Sequence, residues 1–154
     1  RRTVLLDEFY SGYKETVLEQ SEFIESIYIP KPLCGKTLRA YKTSKRIDDD
    51  ISSCSIAISV ECEGEIITSA RIACGGMAEI PKRAIHCEDS LVGARWSEQA
   101  FVEAAKKMED DFTPISDARA SDLYRMAASK NLLKRYWLEL DSQTDFSFRT
   151  HDYE

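Results

Sequence analysis

Two runs of alternating residues, joined by Glu63-Gly64, limit the fold of this chain more than any other feature. In the first, Cys54, Ile56, Ile58, Val60 and Cys62 fall on one side of an extended chain, and Ser55, Ala57, Ser59 and Glu61 on the other. Successive side chains of a strand point to opposite faces, so this spacing predicts a strand with one buried side. Ile66, Thr68, Ala70, Ile72 and Cys74 resume the alternation up to Gly75-Gly76. With Glu63-Gly64 as the turn, the runs predict an antiparallel hairpin whose apolar face needs a cover.

That cover is predicted downstream, where the period changes. Pro81 can occupy the first turn of a helix in which Ala84, Ile85 and Leu91 form one stripe, and Gly93 suits its C-terminal end. Ser97 can cap a second helix with Phe101, Val102, Ala105 and Met108 on its inner side. A third helix is expected from Ser116 or Asp117 to about Leu140, with Leu123, Tyr124, Ala127, Leu132, Leu133, Tyr136, Trp137 and Leu140 in period. Upstream, residues 37–44 read as a short strand and residues 23–29 as another, stopped by Pro30. Pro30, Pro32 and Gly35 break regular structure, which places a boundary near Gly35. The reading is an α+β fold of two layers, a small antiparallel sheet covered by about three helices and preceded by an N-terminal arm. Residues 1–35 form the arm, 36–141 the domain and 142–154 a polar tail.

Charge and cysteine usage narrow the function. Acidic residues outnumber basic ones 27 to 21, and a net charge of -6 offers no broad attraction to a phosphate backbone, so nucleic acid is not expected as a partner. The chain opens on Arg1-Arg2-Thr3 without Met and carries no apolar run suited to a signal peptide or a membrane span. We expect an internal piece of a longer polypeptide, with no membrane contact. Cys34, Cys54, Cys62, Cys74 and Cys87 form no CxxC pair. An odd, widely spaced set argues against a disulfide framework and a zinc site, and fits small buried or half-buried hydrophobes in a reducing cytoplasm.

No complete active site is visible. His86 and His151 belong to no ligand motif, and GxSxG, HExxH, P-loop and GxGxxG patterns are absent. A free-standing small enzyme is therefore disfavoured. Two constellations remain. In residues 41–51, Lys42, Lys45 and Arg46 sit beside Asp48, Asp49 and Asp50 next to the boundary, where ligand sites tend to form; the same run also reads as a solvated face with weak local ion pairs. Residues 116–121 with Tyr124-Arg125 read either as a second candidate site or as a helix cap with a dipole-favoured Asp117 and surface arginines.

At these residues the chain resembles a known family. Arg39-Ala40-Tyr41-Lys42, then Lys45-Arg46 and Asp48-Asp49-Asp50-Ile51, are similar to the segment that runs past the flavin in the xanthine dehydrogenase family of molybdenum hydroxylases. The likeness follows the same order through Tyr13-Lys14-Glu15-Thr16, Glu22-Phe23-Ile24, Ile27-Tyr28-Ile29-Pro30, Gly75-Gly76-Met77-Ala78, Pro81-Lys82-Arg83-Ala84, Asp111-Phe112-Thr113-Pro114 and Ser116-Asp117 to Tyr124-Arg125. Within the family it is nearest the bacterial small subunit. The resemblance implies the C-terminal part of an FAD-binding electron-transfer module. Such a module takes electrons from iron-sulfur clusters, fed by a molybdenum cofactor that hydroxylates a purine, and passes them to NAD. It implies that Lys42 and Ile24 contact FAD and that Asp49 lies close to the flavin ring. In these proteins the segment wrapping the FAD pyrophosphate, and the iron-sulfur cysteines, lie upstream of the position matching Arg1. The expected partners are those upstream portions and a molybdenum-binding large subunit, and the isolated chain is expected to be inactive with little or no FAD. The alternative is a non-catalytic docking module with no flavin contact, which predicts an exposed apolar patch near Trp96 or Trp137.

Overall fold

A computed structural model describes residues 1–30, 37–46 and 51–141. It begins with a short helix α1 (Leu6–Phe9) and the small ribbon β1 (Tyr10–Gly12) and β2 (Glu15–Thr16). The main sheet follows, β3 (Thr37–Thr43), β4 (Cys54–Glu63), β5 (Ile66–Gly75) and β6 (Lys82–Arg83), antiparallel in the order β3-β4-β5-β6. Three helices, α2 (Ile85–Leu91), α3 (Glu98–Asp111) and α4 (Asp122–Leu140), lie on one face of it. The two-layer α+β expectation holds, with α1 as an additional helix.

The hairpin of β4 and β5 is the floor. Cys54, Ile56, Ile58 and Val60 are buried from β4, and Ile67, Ala70, Ile72 and Cys74 from β5. Gly64 turns the chain at φ +59°, a conformation that costs glycine little. One detail differs from the alternation read in the sequence. Glu61 pairs with Ser69 and Cys62 with Ile67, which leaves Thr68 as an extra residue in a β-bulge. Thr68 turns out and donates its hydroxyl to the Glu61 carbonyl at 3.2 Å, so Ile67 points inward and Ile66 and Cys62 are exposed. Cys62 thus departs from the expectation of a buried or half-buried thiol, while Cys54, Cys74 and Cys87 meet it and Cys34 lies outside the described residues.

The starts of the three helices packed on the sheet have chemical reasons. Ser97 caps α3, accepting the Ala100 N–H at 3.3 Å, and Phe101, Ala104, Ala105 and Met108 form its buried stripe. Helix α2 begins at Ile85 rather than Pro81, because Lys82 and Arg83 pair with Cys74 and Ala73 as β6. Its first turn is capped from a distance: the buried Asp111 carboxylate accepts the His86 N–H at 2.9 Å and the Cys87 N–H at 3.0 Å. Gly93, at φ +84°, follows the last residues of α2 as expected. Helix α4 begins at Asp122, capped by Ser121, not at Ser116 or Asp117. Asp117 instead accepts the N–H groups of Arg119 and Ala120 at 2.9 and 3.1 Å, a local turn that competes with helix. The inner stripe of α4 differs too: Leu123, Tyr124 and Ala127 are exposed, and Arg125 and Ser129 are buried in their place.

Strand β5 has no bare edge. Its first half bonds to residues 93–96, with Gly93 N–H on the Ile67 carbonyl and Ile67 N–H on the Ala94 carbonyl. Its middle is closed by a side chain: buried Glu88 accepts the Ile72 N–H at 2.8 Å while its carboxylate also receives the Arg83 guanidinium. Residues 23–29 form no strand. They run extended with Phe23, Ile24, Ile27, Tyr28 and Ile29 exposed, because no neighbouring strand among the described residues pairs with them.

Candidate functional site

Strand β3 fixes the place of Lys42. Tyr41 and Thr43 face the helices and are half-buried, so Lys42 between them faces the open side and is exposed. Tyr41 sets this orientation: its hydroxyl donates to Glu139 of α4 at 2.7 Å, Arg135 bonds the same carboxylate at 2.6 Å, and the Arg135 guanidinium lies 5.0 Å over the Tyr41 ring. Burial and the Glu139 carboxylate push the Tyr41 hydroxyl well above its ordinary value, so it remains a donor.

The strand register builds a surface around Lys42. Lys42 pairs with Ser55 and Ser55 with Gly75; the next row on that face is Ala40, Ala57 and Ala73. Every residue of the two rows except Lys42 is Gly, Ala or Ser. A Cβ at Gly75 would lie 2.6 Å from Ser55 Oγ, so the glycine keeps the end of this surface low. The two rows thus make a small-residue surface with the Lys42 side chain at one end.

Beside Lys42 the sheet end gathers three loops. Ser53 N–H donates to the Thr43 carbonyl at 2.7 Å, closing the neck of the connection from β3 to β4. Lys45 Nζ donates to the Ala118 carbonyl at 3.0 Å, which joins that connection to the turn before α4. Arg125, a surface arginine in the helix-cap reading of this stretch, is 4% exposed. One of its amino groups donates to the carbonyls of Ser53 and, at 2.8 Å, of Gly76; the other reaches Asp117 Oδ1 at 2.6 Å. The Ala120 and Arg119 N–H groups and then Arg125 hold the Asp117 carboxyl down at about 2. Gly76 has φ +75°, and a Cβ there would meet the Ser53 carbonyl oxygen at 2.7 Å. Spacing signalled the two candidate constellations separately. Nothing in it signalled that Lys45 and Arg125 bring them together.

The other expected site residues are placed as follows. Ile24 lies in the extended segment and is 53% exposed, just after Glu22, which binds Arg2 at 2.7 Å. Asp49, with Asp48 and Asp50, lies outside the described residues, as does His151. His86 contacts Asp111 at 2.9 Å through Nδ1, a contact at the start of α2 rather than in a catalytic cluster. Among the described residues no group of His, Cys, Asp and Glu could hold a metal ion. Trp96 and Trp137 are half-buried against the core, Trp96 edge-on to Phe101 at 4.9 Å. Shallow hollows between α3 and α4, lined by residues such as Val102, Lys106 and Lys134, include no residue of the sheet.

Residues 39–140 match the model of the CO dehydrogenase flavoprotein C-terminal domain. Over 91% of its length the chain is 31% identical to the xanthine dehydrogenase of Emericella nidulans, of which it covers 11%. Its fold matches the quinoline 2-oxidoreductase of Pseudomonas putida 86 with a TM-score of 0.81 at 26% identity, over 94% of this chain and 50% of that one. It also matches a Cu,Mo-CO dehydrogenase chain with a TM-score of 0.76 at 26% identity, over 84% of this chain and 45% of the other. The chain thus spans about a tenth of the xanthine dehydrogenase and half or less of the two solved chains.

Proposed function

We propose, from the premise that this chain belongs to the CO dehydrogenase flavoprotein C-terminal domain family of the molybdenum hydroxylases, that it forms one wall of an FAD site in an electron-transfer module. The position of Lys42 carries this reading, at the end of a flat small-residue surface made by β3, β4 and β5. FAD, when bound, supplies the redox chemistry; the chain's residues orient it and set its electrostatic surroundings. The Lys42 ammonium favours negative charge nearby, and Ile24 offers an exposed apolar side chain. Asp49 enters through the resemblance, as a carboxylate opposing charge on the reduced ring.

The finer assignment rests on the same resemblance. Electrons reach the FAD from iron-sulfur clusters, fed by a molybdenum centre acting on a purine, and leave to NAD. The partners are the upstream FAD and iron-sulfur portions and a molybdenum-binding large subunit, and the arrangement is that of a bacterial small subunit. Residues 1–35 read as the end of the preceding FAD-binding subdomain, which agrees with the exposed apolar side chains of residues 23–29. The four described cysteines are free thiols, which suits a reducing cytoplasm. No helix among the described residues is long and apolar enough to cross a membrane.

Titration with FAD, followed by flavin fluorescence, tests the reading on the 154-residue chain and on the full-length protein that contains it. Binding is expected only in the full-length protein. There, Lys42→Met is expected to weaken it roughly tenfold, the ratio given by loss of one charge-assisted hydrogen bond. Unchanged affinity in the Lys42→Met protein sinks the reading, and absence of binding in both proteins favours a docking module.

A further inference from the structure

The connection between β3 and β4 is held at both limbs by one turn of the helical layer. Its first limb is tied by Lys45 to the Ala118 carbonyl at 3.0 Å. Its second limb is tied at the Ser53 carbonyl by Arg125, which is itself held by Asp117 at 2.6 Å. Between the limbs, the Ser53 N–H closes on the Thr43 carbonyl at 2.7 Å, one residue from Lys42. Arg125 draws in the end of β5 as well, through the Gly76 carbonyl at 2.8 Å. Arg125 thus bonds directly beside the ends of β4 and β5, and reaches the end of β3 only through the Ser53–Thr43 backbone bond.

This arrangement is a costly way to fill a core. Burying a guanidinium requires that its charge and its donors be matched, and an apolar side chain of similar volume often serves stability as well. Here two loop carbonyls and a turn carboxylate, on separate segments of the chain, match the two amino groups, while the buried Nε has no hydrogen-bond partner among the described residues. Gly76 is adapted to the same tie: a Cβ there would come 3.1 Å from Arg125 Nη1 as well as 2.7 Å from the Ser53 carbonyl. What the arginine adds is a fixed distance between the turn at Asp117 and the strand end at Lys42.

We propose that Arg125 of α4 and Lys45 of the β3–β4 connection, both bonded to the turn that precedes α4, are positioning residues for the flavin wall and keep Lys42 in its place on the Lys42, Ser55 and Gly75 row. The proposal rests on the reading of Lys42 as an FAD contact. Neither residue touches FAD; both act through the backbone that carries Lys42.

The test uses the full-length enzyme stripped of FAD, with affinity measured by fluorescence titration and the flavin midpoint potential measured after reconstitution. Lys45→Met removes a bond at an exposed side chain and leaves the buried tie intact, so its thermal midpoint stays at the wild-type value. It is expected to weaken FAD binding roughly threefold and to shift the potential. Arg125→Met is expected to weaken binding more than tenfold, and Arg125→Lys, which can still reach part of the acceptor set, to recover part of that loss. Wild-type affinity and potential in both Lys45→Met and Arg125→Lys, beside weak binding by Lys42→Met, overturn the positioning role alone. Wild-type binding by Lys42→Met as well overturns the flavin reading with it. Should the Arg125 variants fail to fold, Lys45→Met decides.

Discussion

Asp117 shows how much one carboxylate can be asked to do. It accepts two backbone N–H groups and a buried guanidinium, and those contacts hold its carboxyl near 2 against an ordinary value of 3.8. A carboxyl depressed in the folded state adds stability above its unfolded value, and that contribution is lost as the pH falls through the folded one. Between pH 4 and pH 2 the thermal midpoint of the wild type is therefore expected to fall more steeply than that of Asp117→Asn. Equal slopes in scans at closely spaced pH values would count against the contact set. The sequence marks Asp117 as a residue suited to helix starts, but its partner is Arg125, eight residues on. An arginine's burial depends on acceptors from other segments, here at Ser53 and Gly76, and no local pattern announces them.

At the level of the element, the bulge at Thr68 decides which isoleucine belongs to the core. Ile67 is fully buried, whereas Ile66 is 45% exposed. Ile67→Ala is expected to destabilise by about 3 kcal/mol and Ile66→Ala by less than about 1 kcal/mol, measured by urea unfolding. A reversed order would place Thr68 in the regular ladder. The hairpin itself, the turn at Gly64 and the cap at Ser97 were legible because each is written in neighbouring residues. The bulge was not, since one inserted residue changes the phase without changing composition. The start of α2 lies at Ile85 and not at Pro81 for a related reason: Lys82 and Arg83 gain hydrogen bonds by pairing with β5, and the cap of α2 comes from Asp111, far along the chain. Tertiary partners outweighed local preference at both places.

Across the whole molecule, residues 1–30 contribute no buried residue, while the sheet and three helices enclose a continuous apolar core. A protein beginning at residue 37 is expected to unfold within about 3 °C of the 154-residue chain by calorimetry, since exposed segments change stability little. A larger drop would mean that the arm supports the domain. The layered fold could be read from periodicity. The candidate site could be read only in part: the charged run at residues 41–51 stood out by its density and Lys42 through the resemblance, but the surface on which Lys42 sits depends on a register across three strands. The uncovered arm also has a consequence for the life of the chain. Phe23-Ile24-Glu25-Ser26-Ile27-Tyr28-Ile29 is an extended stretch, rich in residues that favour strands, with five apolar or aromatic side chains in seven. Bare, it is a template for pairing between molecules and a handle for chaperones and proteases.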